Sequence, residues 1–380
     1  MKLHKGKTRI LRLGVDVRDL RLAATGTKTY LEEFLREASK RHDAVQLIRL
    51  DSIWNPYCGK AKWGKALEHV LFFFWKQFTL PLKTYSRGVD VLFCSDYYVP
   101  LLKIKARHMV VFHDAVFFDH PEYYHPLWLK LFRWIAMPAA RKADAIIVPT
   151  TFSASRLLQV EPRFAGKIHV VHQGPKSFAA EAALTPASAS VFRQLQGLPY
   201  FLHVGVIEKR KNLPALVKAM AMVCITHDVR LVLVGRSSGK IYNDGLAELM
   251  QVIREEGLED KVLLTGYLPD TDLPFWYRHA LAYIFPSRYE GFGIPILEAF
   301  HFGIPVGVAD NSCLKEIGGE AVMEFSPDSI TGIAAVMQEL ITNEPMRHSM
   351  IEKGRQRFQE FTWSSAADRI IRIAENIARS

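Results

Sequence analysis

The sequence is short of several things. Its four cysteines, Cys58, Cys94, Cys224 and Cys313, form no C-x-x-C pair, so a disulfide framework or a zinc site is not expected and a reducing compartment fits. No apolar run of signal-peptide length follows the basic start MKLHKGKTRILRLGVDV, and none is expected to act as one. The densest apolar run, HVLFFFW at 69–75, falls well below the roughly 20 residues that span a bilayer. There is no close internal repeat and no sustained low complexity. Acid is scarce in the first part. Residues 1–176 carry 29 Lys and Arg against 15 Asp and Glu, a net +14, while the rest carries 20 against 24, a net −4. The reading is a protein of the cytoplasm whose first half is open to attraction by an anionic surface, such as the inner face of a membrane. Ordinary solvated charge explains the same counts.

What is present is a packed globular chain. Of 380 residues, 49% are apolar and 11% aromatic, and the length suggests two domains. Short runs rich in Val, Ile and Leu alternate with segments of helical period. TRILRLGVDV, AVQLIRL, DVLFCS, HMVVFHD, DAIIVPT and KIHVVHQG form a first series. YFLHVGV, RLVLVGR, KVLLTGY, LAYIFPS, IPVGVAD and AVMEFS form a second. Such alternation predicts two α/β domains, each a doubly wound parallel sheet, facing across a cleft. The expected bounds are 1–176, a linker at 177–198 within the Ala-, Ser- and Pro-rich stretch 173–198, and 199–362. A C-terminal helix of about 363–380 is expected to pack back on the first domain.

PSRYEGFGIPILEAF, at 286–300, sets Glu290 and Glu298 around two glycines and a proline. With LAYIFPS a strand and IPILEAFHFG a helix, Pro295 suits the first helical turn and Gly303-Ile304-Pro305 ends the helix. Gly291-Phe292-Gly293 is then a strand-to-helix loop, whose N–H groups and helix dipole suit an anion. On one helix the two carboxylates would stand about 12 Å apart. With Glu290 on the loop, both face one extended ligand that joins hydroxylated rings to a phosphate, as a nucleotide sugar does. A plain glycine turn before a helix fits the local pattern as well.

P-S-x-x-E-G-F-G-x-P-x-L-E-A resembles the donor-binding signature of retaining glycosyltransferases of family 4, which have the GT-B fold. HVGVIEKRKNL (203–213) is similar to that family's V-G-x-x-x-x-x-K-N element. VFHDAVFFDHPEYY (111–124) is similar to its H-D segment, and FFFWKQFTLP (72–81) to a W-x-Q-x-x-L-P helix. The flanks LPDTDLPFWYRHALAYIFPS and PVGVADNSCLKEIGGEA follow in order, so the resemblance covers nearly the whole chain. It implies a hexosyltransferase that moves a sugar, with mannose frequent, from a nucleoside-diphosphate donor to a glycan or lipid-linked acceptor. No metal or other cofactor is expected, and no nucleic-acid partner.

The resemblance implies roles residue by residue. Glu298 binds ribose hydroxyls, Glu290 meets the transferred sugar, and the amides of Phe292, Gly293 and Ile294 lie nearby. Gly205 opens the second element. Lys211 neutralises the diphosphate, whose charge grows in the transition state. Many relatives carry Arg directly after that glycine, where this chain has Val206, and Arg210 is placed as the substitute cation. His113 stands beside the donor sugar, with Asp114 either orienting it or capping the next segment. Relatives line the cleft with a glycine-rich loop before the first long helix, of which Gly26 remains here, so Gly26 and Thr27 are placed in donor binding, with Thr27 and Lys28 meeting donor phosphate or acceptor; helix capping by Thr25 or Thr27 accounts for them equally. Asp270-Thr271-Asp272 is expected to cap a helix rather than hold a metal. Glu316 is placed near the cleft mouth without a role. No covalent nucleophile is assigned. A GT-B-shaped nucleotide-sugar isomerase and a non-catalytic sugar-nucleotide-binding protein are the rival classes.

The apolar stripe Trp63, Leu67, Val70, Leu71, Phe74 and Phe78, widened by Phe72, Phe73 and Trp75, is expected to pack into the core. The sharper alternative is that it docks on anionic lipid.

Overall fold

In the computed structural model, residues 10–22, 26–52, 62–178, 184–239 and 241–380 are described. All twelve expected strands form. The first sheet holds β1 (Leu11–Asp16), β2 (Val45–Leu50), β3 (Val91–Cys94), β4 (Arg107–Val111), β5 (Ala145–Val148) and β6 (Ile168–Val170), in the spatial order 2-1-3-4-5-6. The second holds β7 (Tyr200–Val204), β8 (Arg230–Val234), β9 (Val262–Gly266), β10 (Ala282–Phe285), β11 (Val306–Ala309) and β12 (Val322–Phe325), in the order 12-11-10-7-8-9. Neighbouring strands pair in parallel in both sheets. Helices cover both faces, so β3, β5, β10 and β11 are buried along their whole length. That is why they read as unbroken apolar runs.

The strand order fixes where a ligand can sit. From β7 the chain winds one way through β8 and β9, then returns to place β10 on the other side of β7. Such a reversal opens a crevice beyond the carboxyl ends of the two strands. Gly205 follows β7, and Pro286 to Gly293 follow β10. In the first sheet the reversal lies between β1 and β3, with β4 next to β3.

The closing helix Trp363–Arg379 lies on the first sheet. Its Ala367, Ile370, Ile371 and Ala374 are buried with Tyr30, Leu31, Phe34 and Phe93. Where the chain crosses between the sheets, a Cβ on Gly174 would stand 2.6 Å from the Trp363 ring, and the indole N–H donates to the Pro175 carbonyl at 2.9 Å. Within the expected linker, Pro186–Arg193 is helical and packs on the second sheet's side. The Trp276 indole donates to Ser188 Oγ at 2.9 Å, and Phe192 meets the Phe275 and Trp276 rings.

Two expectations are corrected. The stripe Leu67, Val70, Phe74 and Phe78 does not pack inward: these side chains are 48–53% exposed, whereas Trp75, Lys76 and Gln77 are buried. The helix passes through a π-helical turn at Trp75–Thr79, and the wider winding there turns three consecutive side chains inward. Trp63's side chain lies outside the described residues. Asp272 does not cap the following helix either. It is buried and accepts from the Thr185 hydroxyl at 2.7 Å, while Asp270 pairs with Lys176.

Candidate active site

The site is built first from the second sheet. Gly205 and Gly235 leave the adjacent strands β7 and β8 so closely that a Cβ on Gly235 would fall 1.8 Å from the Gly205 carbonyl oxygen. The chain then turns through Lys209–Lys211 to Asn212, whose φ of 56° is left-handed. Asn tolerates that conformation better than most residues. Its side-chain amide donates to the carbonyls of Pro286 (3.2 Å) and Pro327 (2.8 Å), tying the turn to the loop after β10.

That tie brings three charges together. Lys211 Nζ donates to Glu290 Oε1 at 2.6 Å, and Arg210 Nη1 to Glu290 Oε2 at 2.9 Å. Arg210 is held by Glu208 at 2.7 Å and reaches the Tyr289 carbonyl at 3.2 Å. Burial alone would raise the Glu290 pKa, but the Arg210 and Lys211 charges outweigh it and bring it to about 2. Burial lowers the Lys211 pKa; Glu290 opposes that shift and Arg210 adds to it. The Lys211 ammonium also lies 5.1 Å from the centre of the Phe285 ring.

Gly293, at φ 99°, ends the loop and starts the helix Ile294–His301, with Pro295 in its first turn. Pro295 brings no N–H, and the Ile296 N–H turns back to the Gly293 carbonyl at 3.0 Å. Glu298 is buried one turn in, and its Oε2 accepts from the Tyr277 hydroxyl at 2.7 Å. Burial raises its pKa and the Tyr277 hydrogen bond opposes the rise.

The first sheet supplies the facing wall. His113 follows β4, and its Nε2 lies 2.7 Å from the Ser95 carbonyl. A carbonyl only accepts, so Nε2 carries the hydrogen and Nδ1 presents a lone pair. Burial pushes the His113 pKa down to about 4, so the ring is neutral at physiological pH. Tyr30 and Tyr97 hold it edge-on. Asp114 accepts from Tyr97 (3.1 Å) and from the Val116 N–H (3.3 Å), so it caps the short turn that follows. Gly291 closes the gap: a Cβ there would lie 2.2 Å from the His113 carbonyl oxygen and 2.7 Å from Asp114 Cβ.

The structure therefore gathers His113, Arg210, Lys211, Glu290, Gly291 and Gly205 at one point. A Cβ on Gly205 would lie 3.5 Å from Lys211 Cε. Phe292, Gly293, Ile294 and Glu298 continue from that point along one loop and helix. Gly26 and Thr27 open the helix Gly26–Ala38 but make no hydrogen bond or ion pair with this cluster among the described residues; Tyr30, one turn on, touches His113. Thr25 lies outside the described residues. Lys28 pairs with Glu32. Sequence reasoning missed Asn212, Glu208, Tyr277 and His203. The His203 Nε2 is buried and has no partner among the described residues, and its Nδ1 lies 3.0 Å from the Ile284 carbonyl. The lysine–asparagine pair was the available signal for Asn212; nothing local marked the others.

Among the described residues, Asp16, Cys94 and Asp96 bring potential ligand atoms within 4.8 Å of one another. The Lys76 ammonium already serves the two carboxylates there, at 2.8 and 2.5 Å. A separate cavity of about 930 Å³ lies behind the domain crossings, lined by Arg36, Arg41, Lys176, Phe178, Phe361 and Trp363 among others, and includes no residue of the Lys211–Glu290 cluster.

Two facing parallel-sheet domains with a carboxylate pair and paired cations at the switch point define the GT-B class of glycosyltransferases. The comparisons agree. Residues 190–357 match the model of "Glycosyl transferases group 1" and residues 24–175 that of "Glycosyltransferase Family 4". The chain belongs to glycosyltransferase family 4 and is a glycosyltransferase. It is 27% identical to the O-antigen chain mannosyltransferase B of Escherichia coli over 268 residues, 70% of this chain and 69% of that protein. Three longer mannosyltransferases are matched over only 20% to 28% of their own length. Among solved structures, the sucrose-phosphate synthase of Thermosynechococcus elongatus superposes with a TM-score of 0.75 at 18% identity, over 97% of this chain and 100% of that one. Anabaena HepE in complex with UDP and glucose superposes at 0.69 and 17% identity, over 97% and 100%. At such identities these two structures speak for the fold alone.

Proposed function

We propose that this glycosyltransferase moves a hexose, mannose first among the candidates, from a nucleoside-diphosphate sugar to a glycan or lipid-linked acceptor in surface polysaccharide synthesis. It does so with retention of anomeric configuration and without a metal ion. The observation that carries the reading is the Lys211–Glu290–Arg210 cluster set against His113, with Glu298 eight residues further along the same loop and helix. Mannose and polysaccharide synthesis rest on the name of the O-antigen relative.

The donor diphosphate lies over Gly205 and the start of the helix Ile294–His301. It takes over part of the hydrogen bonding that Lys211 and Arg210 give to Glu290. Those cations stabilise the leaving diphosphate, the work a metal would otherwise do. The freed Glu290 oxygens and the His113 Nδ1 lone pair accept from hydroxyls of the sugar. Glu298 accepts from the ribose diol. The acceptor hydroxyl attacks on the face the diphosphate leaves, and its proton passes to a departing phosphate oxygen. Neutral His113 is a poor acid, and no protein nucleophile is assigned.

The acceptor side includes the outward stripe. Phe73, Phe74, Phe78 and Leu82 are exposed on one helical segment and Leu131 and Trp134 on another, where Lys130 lies over the Trp134 ring and Arg133 is exposed beside it. No helix among the described residues is long and apolar enough to cross a membrane. Exposed aromatics flanked by basic residues suit the headgroup region of an anionic bilayer, where each basic residue contributes about 1 kcal/mol. Flotation of wild type and of a Phe74→Asp/Phe78→Asp variant with anionic liposomes tests this, with loss of flotation expected in the variant. Equal recovery of both proteins refutes it.

Incubation with GDP-mannose, UDP-glucose and other donors, with and without acceptor, tests the function. Transfer or slow donor hydrolysis supports it. An epimerised donor, or binding without turnover, refutes it.

A further inference from the structure

The helix Thr151–Val160 belongs to the first sheet's side, between β5 and β6, yet its N-terminus is finished by the other domain. Its own cap, Thr150, accepts from the Ser153 N–H at 3.1 Å. The two N–H groups left over, on Thr151 and Phe152, donate to the two carboxylate oxygens of Glu316 at 2.7 and 3.0 Å. Glu316 stands on the short helix Leu314–Gly318 of the second domain. A carboxylate at a helix N-terminus meets both unpaired donors and the positive end of the dipole. His172, at the end of the first domain, lies 3.2 Å from the same carboxylate.

The same helix start also holds the donor loop. The hydroxyls of Thr150 and Ser153 lie 3.0 and 3.3 Å from the Gly291 carbonyl oxygen. From the Glu316 side, the Cys313 thiol donates to the Glu290 carbonyl at 3.2 Å. Arg357 fixes the Glu316 segment by donating to the Glu316 and Ile317 carbonyls at 2.6 and 3.0 Å. Loop, latch and helix start are thus one connected unit across the cleft, and the loop it holds is the one pressed against His113.

We infer that Glu316 is a positioning residue: by capping the helix Thr151–Val160 from the opposite domain it latches the cleft shut, and through Thr150 and Gly291 it registers Glu290 against His113 for transfer. It touches neither donor nor acceptor. Opening the cleft frees the Thr151 and Phe152 N–H groups and the Gly291 carbonyl together, so closure and loop placement are coupled.

The inference rests on the proposed transfer reaction, and the test separates the two. Small-angle scattering measures the radius of gyration of wild type, Glu316→Ala, Glu316→Gln and Thr150→Val, alone and with UDP or GDP. Turnover is measured with the donor the wild type accepts. Glu316→Ala is expected to have a larger radius than wild type. Its kcat is expected to fall about 100-fold, the scale of a misplaced reacting group, with the dissociation constant for free nucleoside diphosphate unchanged. Glu316→Gln keeps one amide oxygen as acceptor and is expected to recover part of both effects, which a purely structural loss would not show. Thr150→Val is expected to lower kcat as well. A wild-type radius in both Glu316 variants overturns the latch, whatever the activity. If no donor turns over in the wild type, the transfer reading fails while the scattering still decides the latch.

Discussion

Replacing Lys211 by Met keeps most of the aliphatic arm beneath Gly205 and removes one charge. Two consequences follow from the geometry. For the fold, Glu290 is not left alone, because Arg210 still donates to its other oxygen at 2.9 Å. The loss should therefore stay below the 3–5 kcal/mol typical of stranding a buried charge. The Glu290 pKa rises, since one of the two cations holding it down is gone. For catalysis, the diphosphate loses a charge-assisted donor as its own charge grows, a loss of about 3–4 kcal/mol, or 100- to 1,000-fold in kcat. Donor turnover under saturating donor reads that loss, and a thermal melt separates it from unfolding. A melt near wild type with kcat down at least about 100-fold is the expected pair of results. A kcat within about threefold of wild type in a folded variant would refute the placement of the leaving diphosphate.

Other expectations follow from the same geometry. Glu298→Ala removes an acceptor for the ribose diol and is expected to weaken donor binding by about 1.5–3 kcal/mol; titration calorimetry that finds unchanged affinity would move the ribose elsewhere. His113→Ala is expected to lower kcat more than it lowers affinity for free nucleoside diphosphate, and equal weakening of both would place the residue away from the sugar. EDTA is expected to leave turnover largely intact; complete loss restored by manganese would replace the cationic leaving-group site with a metal. Stability should fall as pH drops from about 6.5 towards 4. Burial brings the His113 and His203 pKa values down to about 4, so the unfolded chain takes up their protons first, while Asp96 and Glu298, raised by burial, offset part of that loss. Below about 4.5 the loss should continue, as the unfolded chain protonates Glu290 and Glu316 while the folded chain keeps both ionised down to about 2. Urea midpoints across that range that stay flat would contradict this.

How much of this could be read from the sequence differs from element to element. The strands were legible because parallel strands covered on both faces are written as plain Val, Ile and Leu runs. The loop Gly291–Gly293 was legible because a tight approach to His113 admits no side chain at Gly291 and a positive φ favours glycine at Gly293. The stripe Leu67, Val70, Phe74 and Phe78 was legible as a helix face but not as an outward one. Periodicity gives the face, and only tertiary packing decides which way it looks. Asp272 read as a local cap because Thr185, its actual partner, is 87 residues away. The same distance problem hid the bond from Glu316 to Thr151, a contact between residues 165 apart.

The most direct test of the transfer account is NMR of the first product formed from GDP-mannose and acceptor, read at the anomeric carbon before equilibration. GDP-mannose carries its sugar in the α configuration. The account predicts an α-linked mannosyl product appearing in step with released GDP. A β-linked product, or a donor left unchanged under conditions where the protein binds GDP, would contradict it.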